Sequence, residues 1–315
     1  MEVDQQERPP VPATECAGGV SSELYAETTC GSTFAEYEPD GSTIWKTRFL
    51  VNLPRTAAFP GDETKTKQEF DSEGDLITTK AVRTTVVIAH RPRTPLSTVG
   101  EQVWRGALLL SDFVLSSPDI FTSDTTVLEL GSGTGLTAII AATVVHRVIC
   151  TDVDRGDILT LCKRNVTFND HLMRPDGGGV TIKELDWMQP AFPSWVEKEN
   201  AVDVIIAADG KALYITYTSY FIYDNELSDY FLSMLKALIK RLRPKEGCYI
   251  ALEKRYVFTL ADMESVAPMY EHFLQRLREN PEWNFNRLDV KDLPQHLQYD
   301  RTNELVLWKL ELSQK

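Results

Sequence analysis

The run V-L-E-L-G-S-G-T-G-L at residues 127–136 constrains this chain more than any other ten residues. A short apolar strand enters three glycines, Gly131, Gly133 and Gly135, and a helix-forming stretch follows at once. Glycine takes positive φ without strain, and its missing side chain lets a ligand approach the main chain. A helix starting behind such a turn offers unpaired N–H groups to anionic or polar ligand atoms. The spacing is E-x-G-x-G-x-G, not the G-x-G-x-x-G of dinucleotide folds. Glu129 stands just ahead of the turn. A carboxylate there repels a pyrophosphate and suits a ligand that carries positive charge. S-adenosylmethionine has a sulfonium and an ammonium and no phosphate, and it fits that requirement.

The rest of the chain supplies a fold for this turn. Apolar runs predict a helix at Val103–Leu115, strands at Thr126–Leu130 and Val148–Asp152, and helices at Leu136–Val145 and Ile158–Asn169. Strands at Val180–Lys183, Val202–Ala208 and Gly247–Leu252 follow, with an amphipathic helix at Leu227–Leu242. Such alternation predicts a parallel sheet with helices on both faces. Two further strand-like runs, Trp283–Val290 and Glu304–Leu312, have no helical pattern between them and should pair as an antiparallel hairpin. The predicted architecture is an α/β, doubly wound, seven-stranded mixed sheet. Ahead of it, β-rich runs at 42–51, 76–80 and 84–90 predict a small antiparallel extension. Residues 1–43 lack apolar periodicity and are expected to form a disordered acidic tail. The expected division is therefore tail 1–43, β-rich extension 44–97 and main domain 98–315.

Two more features point at the same crevice. Asp152 ends the second strand of the α/β part, 21 residues after Gly131. In open α/β sheets ligands sit beyond the carboxyl ends of the strands, and an acid at this offset takes ribose hydroxyls. Asp154 or Asp157 offers the same chemistry, Asp157 reading better as a helix N-cap. Past the third strand, Asp186 can accept from an adenine amino group while Trp187 packs on the ring face. Trp187 reads equally well as core.

The formal charge of −13 excludes little until it is located. Residues 1–40 hold nine acids and one base, a net of −8, which leaves −5 for the remainder. A mildly acidic body is a poor match for the nucleic-acid backbone. The basic run Lys236, Lys240, Arg241, Arg243 and Lys245 closes a helix, where cations complement the dipole. Five cysteines without a C-x-x-C pair predict neither a disulfide framework nor a zinc cage, and Cys150 and Cys248 read as small buried hydrophobes. The five histidines have no ligand spacing, so no metal is expected. Neither a secretory leader nor a membrane span is legible, and a soluble protein of cytosol or nucleus is expected.

Taken together, G-E-Q-V-W-R-G-A-L-L-L (residues 100–110), V-L-E-L-G-S-G-T-G-L, I-C-T-D, N-V-T-F-N-D-H-L, K-E-L-D-W and I-I-A-A-D resemble family 16 of the seven-β-strand protein methyltransferases. The resemblance covers roughly residues 84–315. It implies a Rossmann-like class I methyltransferase fold with S-adenosylmethionine as cofactor and the ε-amine of a protein lysine as methyl acceptor. Carried over residue by residue, it implies that Trp104 helps close the cofactor pocket. Glu129, Gly131, Gly133 and Gly135 form the methionine-binding loop, Asp152 takes the ribose, Asp186 and Trp187 the adenine, and Ala207 lines the cofactor after the fourth strand. It further implies a protein partner, a nuclear nucleic-acid-binding protein being the class suggested, and a monomeric enzyme.

The family's acid and tyrosine, D/E-x-x-Y, are separated in this sequence. Asp209 is followed by G-K-A-L-Y-I-T-Y-T-S-Y-F, and the best match for the tyrosine is Tyr223. Asp209 and Tyr223 are the expected catalytic pair, with residues 210–221 as a loop excursion between them. Two rival readings remain from the residues alone. One is methylation of a nucleic acid or small molecule, although A-A-D-G-K lacks the prolines of the N/D-P-P-Y/F motif of base-amine methyltransferases. The other is a binding module that has kept the fold and lost its activity.

Overall fold

The computed structural model describes residues 20–22, 24, 32–38, 43–54, 82–209, 225–259 and 264–313. The chain opens with strands β1 (Ser32–Tyr37), β2 (Thr43–Leu53) and β3 (Val82–His90), followed by helix α1 (Arg105–Ser116). An alternating part follows: β4 (Thr126–Leu130), α2 (Leu136–Ala141), β5 (Arg147–Asp152), α3 (Ile158–Phe168), β6 (Gly179–Glu184), α4 (Ser194–Lys198) and β7 (Val204–Ala208). Then come α5 (Asn225–Leu242), β8 (Cys248–Glu253), the short strands β9 (Val257–Thr259) and β10 (Glu264–Val266), α6 (Pro268–Glu279), β11 (Trp283–Leu288) and β12 (Leu305–Leu312).

The main sheet has seven strands in the order β11-β12-β8-β7-β4-β5-β6. From β6 to β8 the strands run parallel, while β12 is antiparallel to both β8 and β11. The sequence explains the centre: T-V-L-E-L of β4 is buried at every position, as a strand covered on both faces must be. From β4 the chain builds outward through β5 and β6, then returns to the other side of β4 as β7. That reversal of direction between β4 and β7 opens a crevice at the carboxyl ends of the strands.

The antiparallel extension is present, with two changes. Strand β1 lies inside the stretch expected to be without structure, and pairs along β2 from Ser32↔Arg48 to Tyr37↔Thr43. Ion pairs help to hold it: Glu36 pairs with Lys46 at 2.6 Å, and Arg164 reaches Glu38, just past the strand, at 2.5 Å. Residues 20–22 and 24 are also placed, while the expected strand at 76–80 lies outside the described residues. The outer edge of β3 is sealed by two asparagines one helical turn apart on α3. Asn165 accepts from the N–H of Ala89 at 2.7 Å and donates to its C=O at 2.9 Å. Asn169 does the same at Val87, at 2.9 and 2.8 Å. Side-chain amides thus replace a fourth strand, which satisfies an edge that would otherwise template aggregation. Asn165 also donates to Thr134 C=O at 2.9 Å, joining the extension to the glycine turn.

Some elements differ from expectation. Helix α6 had no counterpart in the sequence reading. Pro268 occupies its first turn, where the missing N–H costs nothing, and Met269, Phe273 and Leu277 at four-residue spacing are buried. Helix α2 stops at Ala141 instead of Val145, before the β-branched Thr143-Val144-Val145, which disfavour helix. Asp157 does precede α3 as its N-cap residue, but its side chain makes no capping hydrogen bond. Cys150 and Cys248 are buried, and so is Cys162. In the basic run, Lys236 and Lys240 both pair with Glu282, at 2.9 and 2.8 Å.

Candidate active site

The carboxyl ends of β4, β5, β6 and β7 converge on one cleft. Its lining includes Trp104, Glu129, Gly131, Gly133, Asp152, Asp186, Trp187 and Asp209. Eight residues singled out in the sequence, drawn from five separate segments, therefore face one space. Gly135 stands behind it as the N-cap of α2 at φ +82°, where a Cβ would lie 2.7 Å from Cys162 Sγ. Ala207 is a correction. It is buried in the core with Leu128, Ile205 and Leu235, and Ala208 lines the cleft instead. Strand pleating sends neighbours to opposite faces, so an error of one residue moves a side chain across the sheet. Tyr223 lies outside the described residues, as does the 210–221 segment.

The turn itself is pinned from two sides. Gly131 and Gly133 have φ of +67° and +53°, which a side chain tolerates poorly. Asp152 accepts the N–H of Gly133 through Oδ2 and that of Val153 through Oδ1, both at 2.8 Å. The acid expected to take ribose hydroxyls thus fixes the loop. From the other side the carbonyl oxygen of Gly100 presses on Gly133. Sequence reasoning missed Gly100, Gln102, Ser132, Val153, Arg155 and Leu227, which also line the cleft. The first two sit within G-E-Q-V-W, from which only Trp104 was drawn.

Glu129 is only 2% exposed, and its Oε2 has no hydrogen-bond partner among the described residues. Burial pushes its pKa up to about 8, against hydrogen bonds from Ser132 and Thr137 that favour the anion. A buried carboxyl with one oxygen left unpaired beside a cleft is the environment a ligand cation needs, so the residues present fit S-adenosylmethionine. Because the folded value lies above the ordinary one, the carboxyl is protonated at neutral pH and must lose that proton to pair with a cation. Affinity for S-adenosylmethionine should therefore rise by up to about tenfold per pH unit between about pH 6 and 7.5. Calorimetry in buffers of different ionisation enthalpy should register one proton released, and Glu129→Gln should remove both the release and the slope.

Beyond β6, Asp186 accepts from Met188 N–H at 3.0 Å and Gln189 Nε2 at 3.3 Å. Trp187 is half-buried, edge-on to Phe231 with ring centroids 4.9 Å apart, and its Nε1 has no partner among the described residues. Trp187 packs against the core and also lines the cleft. Trp187→Ala should weaken cofactor binding by about 1–3 kcal/mol, the scale of a lost aromatic–base stack. A variant that melts earlier yet binds as tightly as wild type would assign the ring to packing alone.

At the opposite end, Asp209 follows β7 at φ +39°, a conformation aspartate tolerates better than most residues. Its Oδ2 accepts the N–H of Gly106 in the first turn of α1 at 2.6 Å, and its Oδ1 accepts Glu253 N–H at 2.9 Å. A Cβ on Gly106 would lie 2.3 Å from that carboxylate, which accounts for the glycine. Burial, followed by the charge of Glu253, raises Asp209 to about 6. Glu253 in turn pairs with Arg105 at 2.6 Å and Arg255 at 3.1 Å, and the Arg255 guanidinium lies 4.9 Å over the Trp104 ring. This end of the cleft is therefore polar and fixed by the protein's own backbone.

A family model described as lysine methyltransferase matches residues 92–279, more than half of the chain. The chain belongs to the lysine methyltransferase family. Members of the family use S-adenosylmethionine. Methyltransferase-like protein 22 of Mus musculus is 36% identical over 289 residues, covering 83% of this chain and 70% of that one. Methyltransferase-like protein 22 of Homo sapiens is 38% identical over 241 residues, covering 71% of this chain and 56% of that one. The protein-lysine N-methyltransferase rrg1 of Schizosaccharomyces pombe is 37% identical over 128 residues, covering 39% and 41%. The chain thus spans little more than half the length of the human relative.

Proposed function

We propose that this chain transfers the methyl group of S-adenosylmethionine to the ε-amine of a lysine in a protein substrate. The observation that carries the reading is the polarity of the cleft: a buried Glu129 whose Oε2 has no partner among the described residues at one end and Asp209 at the other, in a member of the lysine methyltransferase family. The bound cofactor supplies a methyl group already activated by its sulfonium. The protein's part is to align and desolvate the amine, which must reach the site without its proton. In this reading Asp152, Asp186, Trp187 and Trp104 hold the cofactor, and Asp209 orients the amine. Tyr223 is assigned as its companion from the sequence pattern alone.

The test is transfer of labelled methyl from S-adenosylmethionine to proteins in extract, followed by mapping of the modified residue. Label on lysine ε-amines is expected. Label in nucleic acid or small molecules would favour the first rival, and tight cofactor binding with no transfer to any fraction would favour the inactive module. The reading extends, on resemblance, to a nucleic-acid-binding protein as partner, and also to action in nucleus or cytoplasm and to a monomer. Localisation of the tagged protein and its mass in solution check the last two.

A further inference from the structure

Residues 20–22 and 24 come from the stretch expected to be without structure, yet they are fastened to the wall of the cleft. Val20 exchanges both of its backbone hydrogen bonds with Thr94, at 2.9 and 3.0 Å. Ser21 Oγ donates to Pro92 C=O at 2.6 Å, and Leu24 is wholly buried in the larger core. The fastener is Gln102, which lines the cleft and is 2% exposed. Its Oε1 accepts Ser22 N–H at 2.7 Å, while Nε2 donates to Val20 C=O at 2.9 Å and Thr94 Oγ1 at 2.7 Å. An N–H on one side and a C=O on the other leave the amide one orientation. The Val20 side chain packs on Val99 and Trp104, and Trp104 Nε1 donates to Val99 C=O at 3.0 Å.

The wall needs such support. Residues 96–101 form an irregular 3-10 stretch with Thr98 outside helical geometry, so no regular ladder holds them. Yet this stretch carries Gly100, whose carbonyl oxygen lies 2.6 Å from where a Cβ of Gly133 would stand. A shift of a few tenths of an ångström in the wall would therefore reach the glycine turn and Asp152 behind it. Holding a binding loop in one geometry removes ordering cost from the binding step.

We infer that residues 20–22 and Leu24 act as a strap, latched by Gln102, that positions Val99–Trp104 against the glycine turn and sets the affinity for S-adenosylmethionine. The inference rests on the cofactor assignment above. Gln102 and Val20 act through the wall and are positioning residues. Linkage makes the effect reciprocal: if the strap favours the cofactor, the cofactor must tighten the strap by the same factor.

Two measurements test it. Calorimetric titration with S-adenosylmethionine compares the full chain with deletions of residues 1–19 and 1–24, and with Val20→Asp. Deletion of 1–19 leaves every contact named above and should keep affinity within about twofold, whereas Val20→Asp and deletion of 1–24 should each weaken it at least about tenfold. Hydrogen exchange of the full chain should show the Val20 and Ser22 amides slowed at least about fivefold by saturating cofactor. Leu24 sits in the core, so if the longer deletion fails to fold, Val20→Asp decides. Unchanged affinity in Val20→Asp, or unchanged exchange at Val20 and Ser22, overturns the strap and leaves the cofactor assignment standing. An equal loss on deleting 1–19 assigns the effect elsewhere and also overturns it. A full chain that binds no S-adenosylmethionine overturns both.

Discussion

Replacing Gly133 with valine should abolish detectable binding of S-adenosylmethionine, a loss of more than about a hundredfold. Three independent constraints meet at this residue. Its φ of +53° is left-handed, where a β-branched side chain is a genuine outlier. Its N–H is held by Asp152 Oδ2, so the turn cannot rotate away without releasing the acid. A Cβ would stand 2.6 Å from the carbonyl oxygen of Gly100, an atom of the backbone that has no flexible end to move aside. The substitution therefore forces the wall and the turn apart before any ligand arrives. Gly133→Ala should already cost most of the affinity, since the clash begins at Cβ. Circular dichroism and melting of both variants should retain a folded domain, because the disturbed contacts lie at the strand ends. Binding by Gly133→Val within about tenfold of wild type would mean that the cofactor does not use this turn.

The legibility of the fold followed local chemistry. Strand β7 is apolar throughout and β4 is apolar apart from Thr126 and Glu129; both are bounded by breakers and match the expected bounds to within two residues. The β11–β12 hairpin was legible because its two runs have no helical pattern between them. Helix α6 escaped because its signal, Pro268 at the start and apolar residues at four-residue spacing, is interrupted by charge at Glu271, Arg276 and Arg278. Strand β1 escaped for a different reason. Six residues without an apolar run offer only a weak propensity argument, and their pairing depends on β2 and on Arg164 of α3, far along the chain. The role of Asn165 and Asn169 was likewise invisible, although their spacing of one turn was in view. It takes the position of the β3 edge to make them a strand substitute.

The site divides the same way. Residues with special backbone needs or buried charge, such as Gly133, Glu129 and Asp152, announced themselves by type and spacing. Ala207 was displaced to Ala208 because alanine carries no chemistry to fix the face, and only the register of β7 against β4 and β8 decides it. Gln102 gave no signal at all. Its meaning lies in a contact with Val20 and Ser22 across eighty residues, and that kind of pairing is not written in local pattern.

Asp209→Asn should lower methyl transfer at least about a hundredfold at neutral pH and remove a titration from the rate profile. The two side chains are isosteric, and both tolerate positive φ, so the backbone of the strand end is preserved. The acceptor capacity is not. The aspartate gives one oxygen to Gly106 N–H and the other to Glu253 N–H, and an amide must turn its NH2 toward one of these donors. With the pKa raised to about 6, the wild-type group is an anion at pH 7 and neutral at pH 5. The acceptor lysine contributes its own dependence, since only the free amine attacks and its ordinary pKa is near 10.4. At saturating cofactor, which removes the contribution of Glu129, the logarithm of the wild-type rate should rise with a slope near two below about pH 6 and near one above it. The asparagine variant should show a slope near one throughout. Stability must move the other way. A carboxyl whose folded pKa exceeds its unfolded value stabilises most when protonated, so this contribution is full below about pH 4 and is lost as pH rises through about 6. Melting temperatures of wild type should fall over that window relative to Asp209→Asn, while the rates rise. If activity is lost without the change of slope, Asp209 only clamps α1 to β8, and the amine is oriented by another group.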